Sequence, residues 1–478
     1  MSDSLKNIKN KFRKKIKGDD VIFFDFQSEN VKGFLIYVDS IIDRENLGEL
    51  VLKPLNVLAG KIDEKIVCQT IKNANVALSN DFDETVEKIL NGNVCLFIEN
   101  CKKAILVDLR KYEVRAVAEP PTSCVIKGPR EGFNESLKTN LSLIRRRVKN
   151  PYLTVQYFTL GRQSKTNVAI AYLENIASDE IVEEVKKRLN KIDIDNIPDS
   201  SYVAKLICDN KNSLFHQTGS TEKPDVLCAK MMEGRIAVIV DGSPIVITVP
   251  YLFIEDFQNS EDYFKSDFKA NMERMLRIIA LIVAVYLPCI YVASQLYHLE
   301  FIPLKFLITV VNSVKGIPLS PGYEMFFTLL IFEILNQASV RMPKYVGMAL
   351  SVVGALVLGE TAVNAGIVSS PTVLIMALSG ICLYSVPELV DSLAVLRFGL
   401  LVVAGTFGGF GIITASSFIL IYLASLESFT VPFLSPYAPF LAQDIKDGII
   451  MDRIDKMEDR PLSLKPKNKT RIKVNEKN

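Results

Sequence analysis

Residues 341–370 read "RMPKYVGMALSVVGALVLGETAVNAGIVSS". Beyond Arg341 and Lys344, the only charge is Glu360, set among apolar and small residues. The surrounding tract, Tyr345 to Pro387, runs 43 residues with that single charge. At about 1.5 Å of rise per residue it is roughly twice as long as the ~30 Å hydrocarbon core of a bilayer. It must cross twice, or cross and return, and residues 359–371 are the expected turn.

The neighbouring segments follow the same logic. Ile278 to Leu296 holds 19 uncharged residues around Pro288, a kink that a membrane helix tolerates. Arg274 and Arg277 at its start place the preceding half in the cytosol. Phe301 to Val314 is short and carries Pro303, Lys305 and Asn312; it reads as a re-entrant or interfacial helix as readily as a span. Tyr323 to Ser339 can span, yet holds Glu324, Glu333, Asn336 and Gln337. Glu388, Asp391 and Arg397 form a polar break before Phe398–Leu426, 29 uncharged residues expected to tilt or to break at "GTFGGFG" (405–411). The tail from Arg460 has seven basic residues and one acidic, so it too is expected inside. Two cytosolic ends require an even number of crossings, and the segments allow four to six.

A carboxylate at the bilayer centre costs about 2.5–3.5 kcal/mol on insertion scales. Glu324, Glu333, Arg341 and Glu360 are therefore expected to face water, a cation or a partner. Glu333 with Arg341, between helices or copies, is one pairing. Glu360, close to Asn364, is expected to touch a water-filled path or to cap a helix at the headgroups. Asn336, Arg341, Glu388, Asp391 and Arg397 read as pairing or interface residues.

The first 275 residues are charge-rich and differently patterned. "VIFFDFQSENVKGFLIYV" (21–38) and "NVCLFIENCKKAILVDL" (93–109) each read as strand, polar turn, strand. The pattern returns at 153–173 and at 235–253, where Asp241-Gly242 is a hairpin signal. Ile181, Val185 and Leu189 mark a helix after Ser178. The two sets lie roughly 135–140 residues apart, which predicts two related α+β subdomains from an internal duplication. Between them, Phe133, Leu137, Leu141, Ile144 and Val148 share one helix face. Arg130, Arg145, Arg146 and Arg147 are candidate contacts to a cytosolic partner, against the plainer reading of a packed helix with a solvated basic end.

The expected fold is thus an α+β cytosolic N-terminal region of two related subdomains, followed by an all-α polytopic transmembrane domain. The expected divisions are a solvated basic arm (1–20), subdomain 1 (21–118), linker and amphipathic helix (119–151), subdomain 2 (152–272), transmembrane domain (273–427) and cytosolic tail (428–478). The arm lacks the apolar stretch of a secretory signal. The 478 residues carry a net charge of +2, which gives no reason to expect nucleic acid as a partner. Mean hydropathy is +0.22. The eight cysteines are scattered with no C-x-x-C, and the only histidines are His216 and His298. No metal, no cofactor and no enzymatic activity is expected: there is no Ser/His/Asp set, no H-E-x-x-H, no phosphate loop and no dinucleotide fingerprint.

The blocks "GPREGFNESLKTNLSLIRRRVKNP", "GRQSKTNVAIAYLENIA", "VDGSPIVITVPYLFIEDFQNSEDYF", "FEILNQASVRMP", "VGALVLGETAVNAGIVSSP" and "LSPYAPFLAQDIKD" resemble, in order, the A subunit of the GerA-type spore germinant receptors. The resemblance implies a protein of the spore inner membrane that acts with B and C subunits. It implies a homo-oligomer, a pentamer, forming a ligand-gated channel for monovalent cations whose opening starts germination. It equally fits the sporulation stage V homologue that amplifies cation release. Family members often carry Gln where this chain has Glu360. In a ring of copies, helices near Ala349–Ile367 would line the path, with Glu360 recurring once per subunit and Val363 as an apolar constriction. Glu324, Glu333 and Asn364 join that candidate path. A membrane-anchored scaffold that does not itself conduct is the competing reading.

Overall fold

The computed structural model describes residues 3–28, 31–58, 63–99, 101–111, 127–341 and 357–472, and residues 343, 346 and 354 singly. Cys124, residues 119–126 of the expected linker, most of 342–356 in the expected lining segment and the tail from 473 lie outside the described residues.

The N-terminal half holds two five-stranded antiparallel sheets of one topology. The first comprises β1 (Val21–Gln27), β2 (Lys32–Val38), β3 (Val76–Ser79), β4 (Asn93–Ile98) and β5 (Ala104–Asp108), in the order β1-β2-β4-β5-β3. The second comprises β6 (Leu153–Leu160), β7 (Thr166–Leu173), β8 (Gly219–Thr221), β9 (Ile236–Val240) and β10 (Val246–Val249), in the order β6-β7-β9-β10-β8. Each sheet thus has hairpin, crossover, hairpin, with the third-numbered strand added at the far edge. The expected strand pairs are present; β3 and β8, of four and three residues, are too short to leave a periodic signal.

Both faces of each sheet are covered, which is why their central strands read as unbroken apolar runs. On the first sheet, Leu35, Leu96 and Ile105 pack against Leu47, Val51 and Val67. Phe34, Cys95 and Leu106 face the opposite way, against Val86, Ile89 and α1 (Asp3–Lys15). The N-terminal arm is therefore not solvated. Leu5, Phe12 and Ile16 fall on one helix face and are buried on the sheet, and Lys9 reaches Asp25 at 2.6 Å. On the second sheet, α2 (Leu137–Arg147) covers Val155, Ala171 and Ile239. On its other face lies α3 (Asp179–Asn190), over Ile170, Val238 and Ile247.

This last core does not stop at the sheet. It runs through Phe215, Tyr251 and Phe257 into Leu389, Leu393, Leu423 and Phe433 of the helical half. That half is built from α4 (Asp267–Tyr297), α5 (Leu304–Val314), α6 (Pro321–Arg341), α7 (Ser370–Leu383) and α8 (Val390–Ser425). The Asp267–Tyr297 and Pro387–Ser425 stretches are long and apolar enough to cross a membrane. Helix α5, at 11 residues, reaches about 16 Å and is too short to span.

Helix α8 is bent back on itself. Straight, its 36 residues would reach about 54 Å. Yet the Ser392 hydroxyl, near its start, donates to the Leu214 carbonyl at 2.7 Å, and the Tyr422 hydroxyl, near its end, lies 3.1 Å from Ser213 Oγ. Neighbouring residues of one loop hold both feet. The reversal is at Gly408, φ 60° and ψ −146°, within the glycine run expected to break the segment. Tyr297 packs into the bend, its hydroxyl donating to the Gly405 and Thr406 carbonyls at 2.9 Å each.

The tail turns back onto the second sheet unit. Lys467 N–H donates to the Ile176 carbonyl at 2.8 Å, Arg460 Nε to the Met232 carbonyl at 2.7 Å, and Lys465 pairs with Glu180 at 2.9 Å.

Candidate functional site

The ionisable residues of the helical half gather in two clusters and one exposed turn. In the first cluster, Glu324 opens α6 and is fully buried. Its Oε1 accepts from the Ser369 N–H at 2.6 Å and the Ser369 hydroxyl at 2.7 Å. Ser369 precedes the first turn of α7, where orphan N–H groups and the helix dipole favour a carboxylate.

The second cluster surrounds Arg397, which is 1% exposed. Its Nη1 donates to Ser379 Oγ at 3.2 Å, Ser379 in turn donates to the Ala284 carbonyl at 2.6 Å, and Nη2 lies 3.8 Å from Glu333 Oε2. Asn336 accepts from the Tyr384 hydroxyl beside them. The expected pairing of Glu333 with Arg341 gives way to this one. The two lie eight residues apart on α6, more than two turns, while Arg397 enters from α8 at the depth of Glu333. Arg341 is exposed.

Glu360 and Asn364 are exposed, and Val363 is half-buried, on a short break of π-helix (Val357–Thr361) and one α-turn (Ala362–Asn364). Among the described residues no basic group lies within 4.0 Å of Glu360. Val363 lines a cavity of about 330 Å³ with Ser313, Lys315, Gly316, Gly366 and Ser369.

Where the second sheet meets the helices there is an ionic seam that spacing did not reveal. Tyr251 Oη donates to Asp256 Oδ1 at 2.6 Å and His216 Nε2 lies 3.1 Å from the same oxygen. Lys230 and Arg235 hold Glu255 at 2.8 and 3.0 Å. Glu388, at the foot of α8, adds its charge to this group, while Asp391 is exposed. Further down, Arg274 and Arg277 share Asp262, and Arg274 also holds Asp447. Both arginines were expected as topogenic charges; Arg274 also locks α4 to the tail through Asp447 and the Gly448 carbonyl. His216 had no motif around it; the clustered acids of "YLFIEDF" were the only hint.

Burial pulls the His216 pKa down, but the hydrogen bond and charge of Asp256, with Glu388 and Glu255 behind it, outweigh burial and leave it above 6.5. A histidine pKa raised by folding contributes stability that is complete below the unfolded pKa and is lost as pH rises through the folded one. The full chain is expected to unfold at a lower temperature at about pH 8.5 than at about pH 6, with part of that difference gone in His216→Gln. Identical pH profiles for the two proteins would exclude His216 as a contributor.

The basic residues of α2 turn inward more than expected. Arg145 is buried and holds Asp20 through two hydrogen bonds, so it is unavailable to a partner. Arg146 and Arg147 both pair with Glu131. Arg130 is exposed.

Two antiparallel sheet units, the second sharing its core with apolar helices that carry charged clusters, define an α+β protein with a helical half in which two stretches are long and apolar enough to cross a membrane. Its family is shown by comparison: residues 6–463 match the family described as Bacillus/Clostridium GerA spore germination protein, and the chain belongs to it. It is 37% identical over 434 residues to the uncharacterized membrane protein YfkQ of Bacillus subtilis (strain 168), covering 90% of this chain and 85% of that one. It is 35% identical over 451 residues to spore germination protein KA of the same organism (93% and 83% covered). With spore germination protein GerLA of Bacillus cereus it shares 33% over 443 residues (91% and 90%). A crystal structure of the N-terminal domain of the A subunit of the Bacillus megaterium spore germinant receptor GerK3 aligns over 53% of this chain and 95% of that one, at 28% identity and a TM-score of 0.40.

Proposed function

We propose that this chain is the A-type membrane subunit of a spore germinant receptor, and that copies of it, as a pentamer, surround a path for monovalent cations in the spore inner membrane. B and C subunits complete the receptor and nutrient binding opens the path. Family membership supports the receptor role. One observation carries the conduction reading: Glu324 and Glu333 each have a partner inside the chain, Ser369 and Arg397, whereas Glu360 stands exposed beside Asn364 at a helix break. A carboxylate set in apolar sequence, with no basic partner among the described residues, needs water or a cation.

The packing supports an even number of crossings. Ala284 meets Ser379, and Tyr291 stands beside Thr372, so α4 and α7 are antiparallel. Glu324 meets Ser369 and Asn336 meets Tyr384, so α6 and α7 run parallel. Parallel neighbours need a return between them. An even number of crossings returns the tail to the side of the sheets, where Arg460 and Lys465 meet the second sheet unit. The two subdomains then lie in the cytosol, and their shared strand order is what a duplication leaves behind.

The test is conductance of the full chain, reconstituted in planar bilayers with its partner subunits. Glu360→Gln is expected to lower unitary cation conductance to about half or less in dilute salt, with the difference shrinking in concentrated salt as the charge is screened. Equal conductance at low salt removes Glu360 from the path. Absence of any cation current from the wild-type assembly leaves the scaffold reading in its place.

A further inference from the structure

The Glu324 cluster is built on one side and open in its bonding on the other. The Ser369 N–H and hydroxyl donate to Oε1 at 2.6 and 2.7 Å. The Ser369 hydroxyl continues to Thr372 Oγ1 at 2.9 Å. The second carboxylate oxygen, Oε2, is buried without a hydrogen-bond partner, as are Tyr291 Oη and Gln295 Nε2. The Tyr291 hydroxyl stands beside Thr372, Ser369 and Gln295, within the field of Glu324. Among the described residues no basic nitrogen lies within 4.0 Å of Glu324. A buried carboxylate oxygen without a donor thus meets the Tyr291 hydroxyl and Gln295 amide, which reach each other and Thr372 only in poor hydrogen-bond geometry, and leaving that oxygen bare is costly.

The chemistry of the set selects its occupant. Carboxylate, phenol and hydroxyls are oxygen donors, and the Gln295 amide offers oxygen in place of nitrogen by a half-turn. Such donors suit a hard cation. A single carboxylate balances one positive charge, whereas a calcium-type site gathers six to eight oxygens with several carboxylates.

We propose that Glu324, Tyr291, Thr372 and Gln295 bind one alkali-metal cation, which ties α4, α6 and α7 together. Ser369 also lines the cavity of about 330 Å³ shared with Val363, which supplies the approach. The site stands whether or not the protein conducts.

The experiment follows thermal unfolding of the full chain in detergent or nanodiscs as sodium or rubidium chloride replaces N-methyl-D-glucamine chloride at constant ionic strength, with radioactive rubidium binding measured in parallel. The expected result is a saturable rise in Tm in alkali-metal salt and one displaceable rubidium per chain. Both are lost in Glu324→Gln, and the midpoint moves to about tenfold higher concentration in Tyr291→Phe. If Glu324→Gln does not fold, the Tyr291→Phe midpoint decides. Equal Tm in the two salts for the wild type, or a full shift surviving in either variant, overturns the site; a proton on Glu324 gives the first of these. Because no current is measured, failure here leaves the conduction reading untouched, and the reverse holds.

Discussion

Arg145→Met is expected to destabilise the full chain by about 3–5 kcal/mol, the cost of breaking a buried ion pair by removing one member. Arg145 Nε and Nη2 donate to Asp20 Oδ2 and Oδ1 at 2.8 and 2.7 Å, with side chains 1% and 0% exposed. The pair joins the chain just before β1 to α2 over the second sheet. Around it Asp19 N–H donates to the Val155 carbonyl at 2.8 Å and Asp19 Oδ2 accepts from Tyr157 N–H at 3.1 Å. The variant leaves the Asp20 carboxylate buried at a contact between the two sheet units. Asp20→Asn combined with Arg145→Met removes both charges and is expected to recover much of the loss, because the penalty comes from the unpaired ion more than from the missing attraction. Denaturant unfolding of the four proteins of that cycle measures it. A loss below about 1 kcal/mol for Arg145→Met would place the pair in the class of exposed salt bridges and remove its role in joining the units.

The second large effect is at Gly408. Its φ and ψ lie close to a region that is essentially glycine-only, so alanine there costs about 1–3 kcal/mol in strain alone. An added Cβ would also stand 2.8 Å from Tyr297 Cδ2 and 3.0 Å from Cγ. The ring cannot retreat cheaply, because its hydroxyl is held by two carbonyls of the same bend. Gly408→Ala is expected to straighten or unfold the hairpin and to free the tail from the second sheet unit, seen as protease cleavage after residue 426. Gly409→Ala is the control: its nearest foreign atom, His298 Nε2, is 3.5 Å away, an ordinary contact, so its effect should stay within about 1 kcal/mol. Equal protection of the tail in both variants would show that Gly408 is not what sets the reversal.

Much of this architecture was readable where the information is local. The strand pairs, the Asp241-Gly242 turn, the apolar face of α2 and the glycine break in α8 each depend on residues within a few positions of one another. The docking of α1 was missed because its composition is dominated by lysine, while the packing falls to Leu5, Ile8, Phe12 and Ile16. The partner of Glu333 was missed for a different reason. Arg341 is near in sequence and Arg397 is 64 residues away, and only the packing of α6 against α8 brings the second guanidinium to that depth. His216 belongs with these: its partners come from 251–256 and 388, and no spacing rule connects them.

The loop at Ser213 and Leu214 grips both limbs of one hairpin within two consecutive residues. A small tilt of that loop therefore swings the limbs together, like the tines of a fork turned by its handle. The tip at Gly408, a limb's length away, sweeps the widest arc. A push on the sheet beneath would be geared up at the far end of the hairpin.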